Sequence, residues 1–77
     1  SISSAIGLNE KFEFIQNLFN GDKSKYESTL EVLNAATNFN EAFDYMANSL
    51  SWDMDDIHVQ RILELIRRKL IVKKNEQ

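Results

Sequence analysis

The run Asp53-Met54-Asp55-Asp56-Ile57-His58 sets the chain's one histidine beside three carboxylates, and it is the one cluster that merits testing as a metal site. Closely spaced aspartates are the pattern by which a calcium loop wraps a hard cation in oxygen donors. Such a loop also needs a glycine at its bend and a bidentate glutamate at its twelfth position. The glycine is absent here, and Glu64 takes the twelfth position only if the loop starts at Asp53, which puts it inside a predicted helix. Ordinary helix-end physics accounts for the same residues: Asp53 as N-cap, Asp55 and Asp56 complementing the positive end of the dipole, His58 solvated. No metal site and no cofactor is expected. With cysteine absent, the nucleophiles are hydroxyls and lysines without a partnering constellation, so no catalytic residue is expected either.

Arg61, Arg67, Arg68, Lys69, Lys73 and Lys74 form a second set, whose cations could each meet a phosphate of a nucleic acid. Against that use, no glycine or aromatic residue interleaves the run, the pI is about 5.0, and cations belong at a helix C-terminus in any case. A solvated face is the preferred reading. The segment Leu65–Lys74 also has the composition of a membrane-surface helix, but its apolar residues are those a core requires. Trp52 is expected to plug a junction between helices, and Ile71 and Val72 extend the apolar count past the stripe the last helix uses. Trp52, Ile71 and Val72, with Arg67 and Arg68, are therefore the candidate partner contacts.

Positioning such residues requires a fold, and 77 residues at 43% hydrophobic and 27% charged make one small globular domain. A chain this short buries about 60% of the surface it exposes unfolded, so nearly every large apolar side chain is needed inside. No apolar run approaches the roughly 18 to 20 residues of a membrane-spanning helix. Residues 1–56 carry ten acids against three bases, a balance of −7, while 57–77 carry two against six, a balance of +4. That split marks either an anionic partner for the basic end or a head-to-tail complement within one fold or dimer.

With no proline, and glycine only at positions 7 and 21, the apolar residues recur at spacings of three and four, which predicts an all-α fold. Helix 1 is predicted over 9–19, with Phe12, Ile15 and Phe19 on one face joined by Phe14 and Leu18, and Asn20-Gly21 as a left-handed stop. Asp22 is the predicted cap of a second helix whose stripe is Tyr26, Leu30, Leu33 and Ala36, with Val32 beside it, fading near Thr37. Asn38 and Glu41 have capping-box spacing ahead of Ala42, Phe43, Met46, Ala47 and Leu50. Asp53 opens a fourth helix with Ile57, Ile62, Leu63, Ile66 and Leu70 on its buried face, ending between Leu70 and Lys74. A shift of 31 residues sets Leu8–Asn17 against Phe39–Asn48 with four identities, and a two-residue insertion pairs Tyr26, Leu30 and Leu33 with Val59, Leu63 and Ile66. The expectation is a four-helix unit of two related hairpins, an internal repeat of 31–33 residues, with Phe12 and Phe43 in equivalent buried places. Residues 1–7 are read as an N-terminal arm, 8–37 and 38–72 as the hairpins and 73–77 as a tail, all within one domain, 1–77. The start at Ser1 is read as excision from a longer protein.

The stretch Ala5-Ile6-Gly7-Leu8-Asn9-Glu10-Lys11-Phe12, followed by Phe14-Ile15, Leu18-Phe19, Gly21-Asp22 and Tyr26, resembles a small helical domain at the C-terminal end of uncharacterised bacterial proteins. Leu33-Asn34, Glu41-Ala42, Ser51-Trp52-Asp53 and Arg67-Arg68-Lys69-Leu70 continue the likeness over almost the whole chain. What the resemblance implies is a module rather than a catalyst. The function expected is a non-catalytic protein–protein interaction or self-association module in the cytoplasm, with an unknown protein or a second copy as partner. The alternative is nucleic-acid binding through the basic C-terminal helix. Neither a membrane nor a small-molecule substrate is expected as partner.

Overall fold

Helix boundaries follow the local stop and start chemistry. The computed structural model describes residues 1–72, with the side chain of Val72 also outside the description. Within it are α1 (Leu8–Leu18), α2 (Lys23–Ala35), α3 (Phe39–Asp44) and α4 (Ile57–Arg67). A 3₁₀ turn (Ile2–Ala5) precedes α1, and wider π-helical turns extend α3 over Tyr45–Ser49 and α4 over Arg68–Val72. No strand occurs among the described residues, so the all-α expectation holds.

α1 stops where Asn20 and Gly21 take φ of 54° and 87°, and the Gly21 N–H donates to the Ile15 carbonyl at 2.9 Å. That six-residue return satisfies a terminal carbonyl, and at this φ glycine carries no Cβ penalty. The same geometry recurs 31 residues on. Ser51 has φ 56°, and the Trp52 N–H donates to the Met46 carbonyl at 3.0 Å. Asp22 caps α2 by accepting from the Lys25 N–H at 3.0 Å, and Asn38 caps α3 by accepting from the Glu41 N–H at 2.8 Å. Glu41 reaches back one residue further than the usual box, accepting from the Thr37 N–H at 2.7 Å.

Burial corrects several expectations. Phe12 is 56% exposed and Phe43 40% exposed, so neither occupies the buried place assigned to it; Phe14, at 1%, is the phenylalanine α1 commits to the core. The fourth helix starts at Ile57 rather than at Asp53, and Ile57 itself is 77% exposed. Its cap is Asp56, whose carboxylate accepts from the N–H groups of His58 and Val59. The caps at Asp22 and Asp56 are therefore out of step with the 31-residue shift. Val59, Ile62, Leu65 and Ile66 form the buried stripe of α4, which meets α1, α3 and the 3₁₀ turn. Ile2, Phe14, Ile15, Phe19, Tyr26, Leu30, Leu33, Ala42 and Met46 complete the same core.

Candidate functional site

The acidic cluster is used up locally. The Asp53 carboxylate accepts from the Asp55 N–H at 3.0 Å, and Asp56 takes the two N–H groups at the start of α4. The His58 and Phe14 rings meet edge to face, with centroids 6.3 Å apart, and the His58 Nδ1 lies 3.4 Å from the Asp56 carboxylate. Among the described residues no three His, Asp or Glu side chains converge as a ligand set. The bonded His58 N–H holds the Asp56 carboxyl below the usual range; partial desolvation opposes this, while the Val59 N–H and the imidazole reinforce it. A depressed carboxylate stabilises the folded state above its unfolded pKa and loses that contribution as pH falls through the folded one. Asp56→Ala is expected to lower the melting temperature by an amount that is constant above about pH 5 and shrinks as pH falls below the ordinary aspartate pKa of about 4, while Asp53→Ala has the smaller effect. Thermal melts of both variants over that pH range check the cap assignment; an equal or larger loss with Asp53→Ala would put the cap back where the sequence pattern set it.

The basic set is also engaged within the fold. Arg61 Nε meets Glu10 of α1 at 2.7 Å, and this carboxylate raises the guanidinium pKa further. Lys69 Nζ donates to the backbone oxygen of Asn34 at 2.6 Å and to its Oδ1 at 2.7 Å, so a cation sits at the C-terminal end of α2 where the dipole favours it. Asn34 Oδ1 accepts a second bond from the Ile2 N–H at 3.2 Å, which joins the 3₁₀ turn to both helices. Arg67 and Arg68 stand 3.8 and 3.3 Å from Glu64 on their own helix. Lys73 and Lys74 lie outside the described residues. Leu65 and Ile66 are buried and Leu70 packs against the core, so this face of the basic segment is spent inside. No helix is long and apolar enough to cross a membrane among the described residues.

Of the candidate partner contacts, Trp52 is half-buried and packs edge to face with Phe19, centroids 5.6 Å apart, and Phe19 meets Tyr26 in the same way at 5.8 Å. These three aromatics tie α2, the end of α1 and the loop before α4. Ile71 is half-buried, and the Val72 side chain lies outside the described residues. Trp52 and Arg68 line two separate hollows.

A cavity does open elsewhere. Between the C-terminal half of α2 and α3 lies a hollow of about 410 Å³ lined by Val32, Ala35, Ala36, Ala42 and Tyr45, with Glu41 at its edge. Val32 is 46% exposed although the stripe of Tyr26, Leu30 and Leu33 beside it is buried. Tyr45, which also lines it, belongs to the π-helical turn, a distortion frequent at functional sites. The sequence contained one signal of this hollow: Val32 as an apolar residue off the core stripe. A larger hollow of about 550 Å³, by the end of α1, is lined mainly by polar groups, among them Gln16, Asn17, Lys25 and Thr29, beside Trp52.

Residues 3–71 match a family model described as "Domain of unknown function (DUF8457)". No curated protein matches the chain. No solved structure matches it either.

Proposed function

The chain belongs to the DUF8457 family, and from that premise we propose that it is a non-catalytic docking module of a bacterial cytoplasmic protein, binding a protein partner in the hollow between α2 and α3. The observation that supports this reading is an apolar cleft left open at the surface of a chain that can spare few apolar side chains. Small residues on both walls, Ala35 and Ala36 facing Ala42, let a visiting side chain approach the two helices closely. The absence of cysteine fits a reducing compartment.

Affinity capture with wild type and with Val32→Glu tests the proposal. Val32 is exposed enough that the glutamate should leave the fold intact, which circular dichroism verifies. Proteins held by wild type and released by Val32→Glu are the expected result; an unchanged set would rule out the hollow. In the alternative reading, nucleic acid is retarded at physiological salt by wild type and released when Arg67, Arg68, Lys73 and Lys74 become Gln. No such retardation is expected, because Arg61, Arg67, Arg68 and Lys69 already have partners and the first 56 residues carry −7.

A further inference from the structure

The larger hollow by the end of α1, of about 550 Å³, has walls held in place by the two left-handed helix stops. Asn20 lines it, and Ser51 lies between Leu50 and Trp52, which line it too. Each stop is tied by a return bond, Gly21 N–H to the Ile15 carbonyl and Trp52 N–H to the Met46 carbonyl, and the Trp52 ring is held further by Phe19. Thr29 reaches the hollow from α2. It is 5% exposed, and its hydroxyl bonds to no group among the described residues, whereas Ser28 beside it donates back to the Lys25 carbonyl at 3.2 Å. Nor is that hydroxyl sealed off: the enclosed side-chain polar atom without a partner among the described residues is His58 Nδ1. The Thr29 hydroxyl therefore meets the hollow with its bonding capacity unspent, where buried polar groups ordinarily have a partner.

The lining also carries charge of one sign. Lys25 is exposed and enters none of the ion pairs among the described residues, and no carboxylate lines the hollow although the chain holds 12 acidic residues. Asp22, three residues before Lys25, turns its carboxylate to the Lys25 N–H in capping α2. Charges more than about 10 Å away are screened at about 0.1 M salt, so the ammonium in the lining outweighs distant acids.

We propose that this hollow binds a small organic anion, a carboxylate or a phosphate ester with a planar apolar body. The anionic end meets the Lys25 ammonium and accepts the Thr29 O–H, while the body lies against Trp52 and Leu50. Gln16 and Asn17 offer amides at the edge, which completes the mix of apolar wall and a few convergent polar groups that small-molecule sites show. The site is separate from the α2–α3 hollow, does not rest on the docking reading, and departs from the expectation that no small molecule is a partner.

Trp52 is the chain's one tryptophan and so reports on its own surroundings. Its fluorescence is followed while benzoate, phenyl phosphate, benzamide and benzylamine, which share a ring and differ in charge, are titrated in. A saturable change with one or both anions is expected, at least about tenfold tighter than with benzamide, and none with benzylamine. Which anion binds identifies carboxylate or phosphate as the group recognised. Lys25→Met is expected to weaken the anion about tenfold without altering benzamide, and Thr29→Val to weaken it about fivefold. Thr29→Ser keeps the hydroxyl and is expected to bind as wild type, and circular dichroism verifies the fold of each variant. Equal affinity for benzamide and the anions would overturn the anionic class. A change that never saturates, or anion binding that survives both Lys25→Met and Thr29→Val, would overturn the site itself.

Discussion

Phe14→Ala is expected to abolish cooperative folding, or nearly so, while Phe12→Ala two residues away leaves the protein folded. Phe14 is 1% exposed and packs on the face α1 turns to α4, whereas Phe12 is 56% exposed. Truncating a buried phenylalanine costs about 3 to 5 kcal/mol, from lost transfer free energy and the cavity left behind. A domain of this length has about 4 to 12 kcal/mol in total at the usual stability per residue. The loss is thus a large share of what holds the chain folded, and no disulfide is present to compensate. For Phe12→Ala the loss should stay within about 1 kcal/mol, as for most exposed positions. Urea denaturation of the two variants checks the pair. Comparable losses at the two positions would mean that α1 is rotated about its axis relative to the face described here.

The second large effect is expected at Asn34. Asn34→Ala removes the Oδ1 that accepts from both the Lys69 ammonium and the Ile2 N–H, and it leaves the cation with only the backbone oxygen of residue 34. Hydrogen bonds to charged groups contribute about 1.5 to 3 kcal/mol, and the partial exposure of both residues places the loss near the lower end, at about 2 kcal/mol. The variant should also free the two elements that Asn34 ties to α2. Amide exchange at Ile2 and over Arg68–Val72 is expected to accelerate more than in the rest of the chain. A double-mutant cycle with Lys69→Met isolates the pair, and a coupling below about 0.5 kcal/mol would show that the tie contributes nothing of its own. Uniform acceleration across all helices would instead mark Asn34→Ala as a general loss of stability.

What could be read from the sequence divides along the same line as these two experiments. Local chemistry was legible: Asn20-Gly21 ends α1, and Asp22 and Asn38 cap the helices after them, because each depends on residues within one turn. The choice between Asp53 and Asp56 as cap was not, since both are aspartates ahead of the same apolar run. It is decided by Val59, whose burial sets the phase of α4. Helical periodicity likewise put Phe12 and Phe14 on one broad apolar face of α1, and only the position of α4 selects between them. The stop at Ser51 could be found only through its 31-residue match to Asn20, because serine has little intrinsic preference for a left-handed backbone. The Lys69–Asn34 tie joins positions 35 apart through side chains that local pattern reads as solvated. For the same reason the candidate site was the least legible part. Its walls come from the flanks of α2 and α3, where Val32 stands exposed beside the buried stripe and Ala42 belongs to the core and to the hollow at once.

α4 seals the core with Val59, Ile62, Leu65 and Ile66, and among the described residues it is the last of the four α-helices in chain order. A ribosome delivers it last. As synthesis proceeds, Phe14, Ile15, Leu30 and Leu33 leave the exit tunnel with their covering helix still inside it, and the nascent chain carries them as uncovered apolar surface. Whatever length of polypeptide precedes or follows, this domain closes only after Arg67 has cleared the tunnel, so its window for chaperone capture or misassembly opens when α1 emerges and shuts in a single later step.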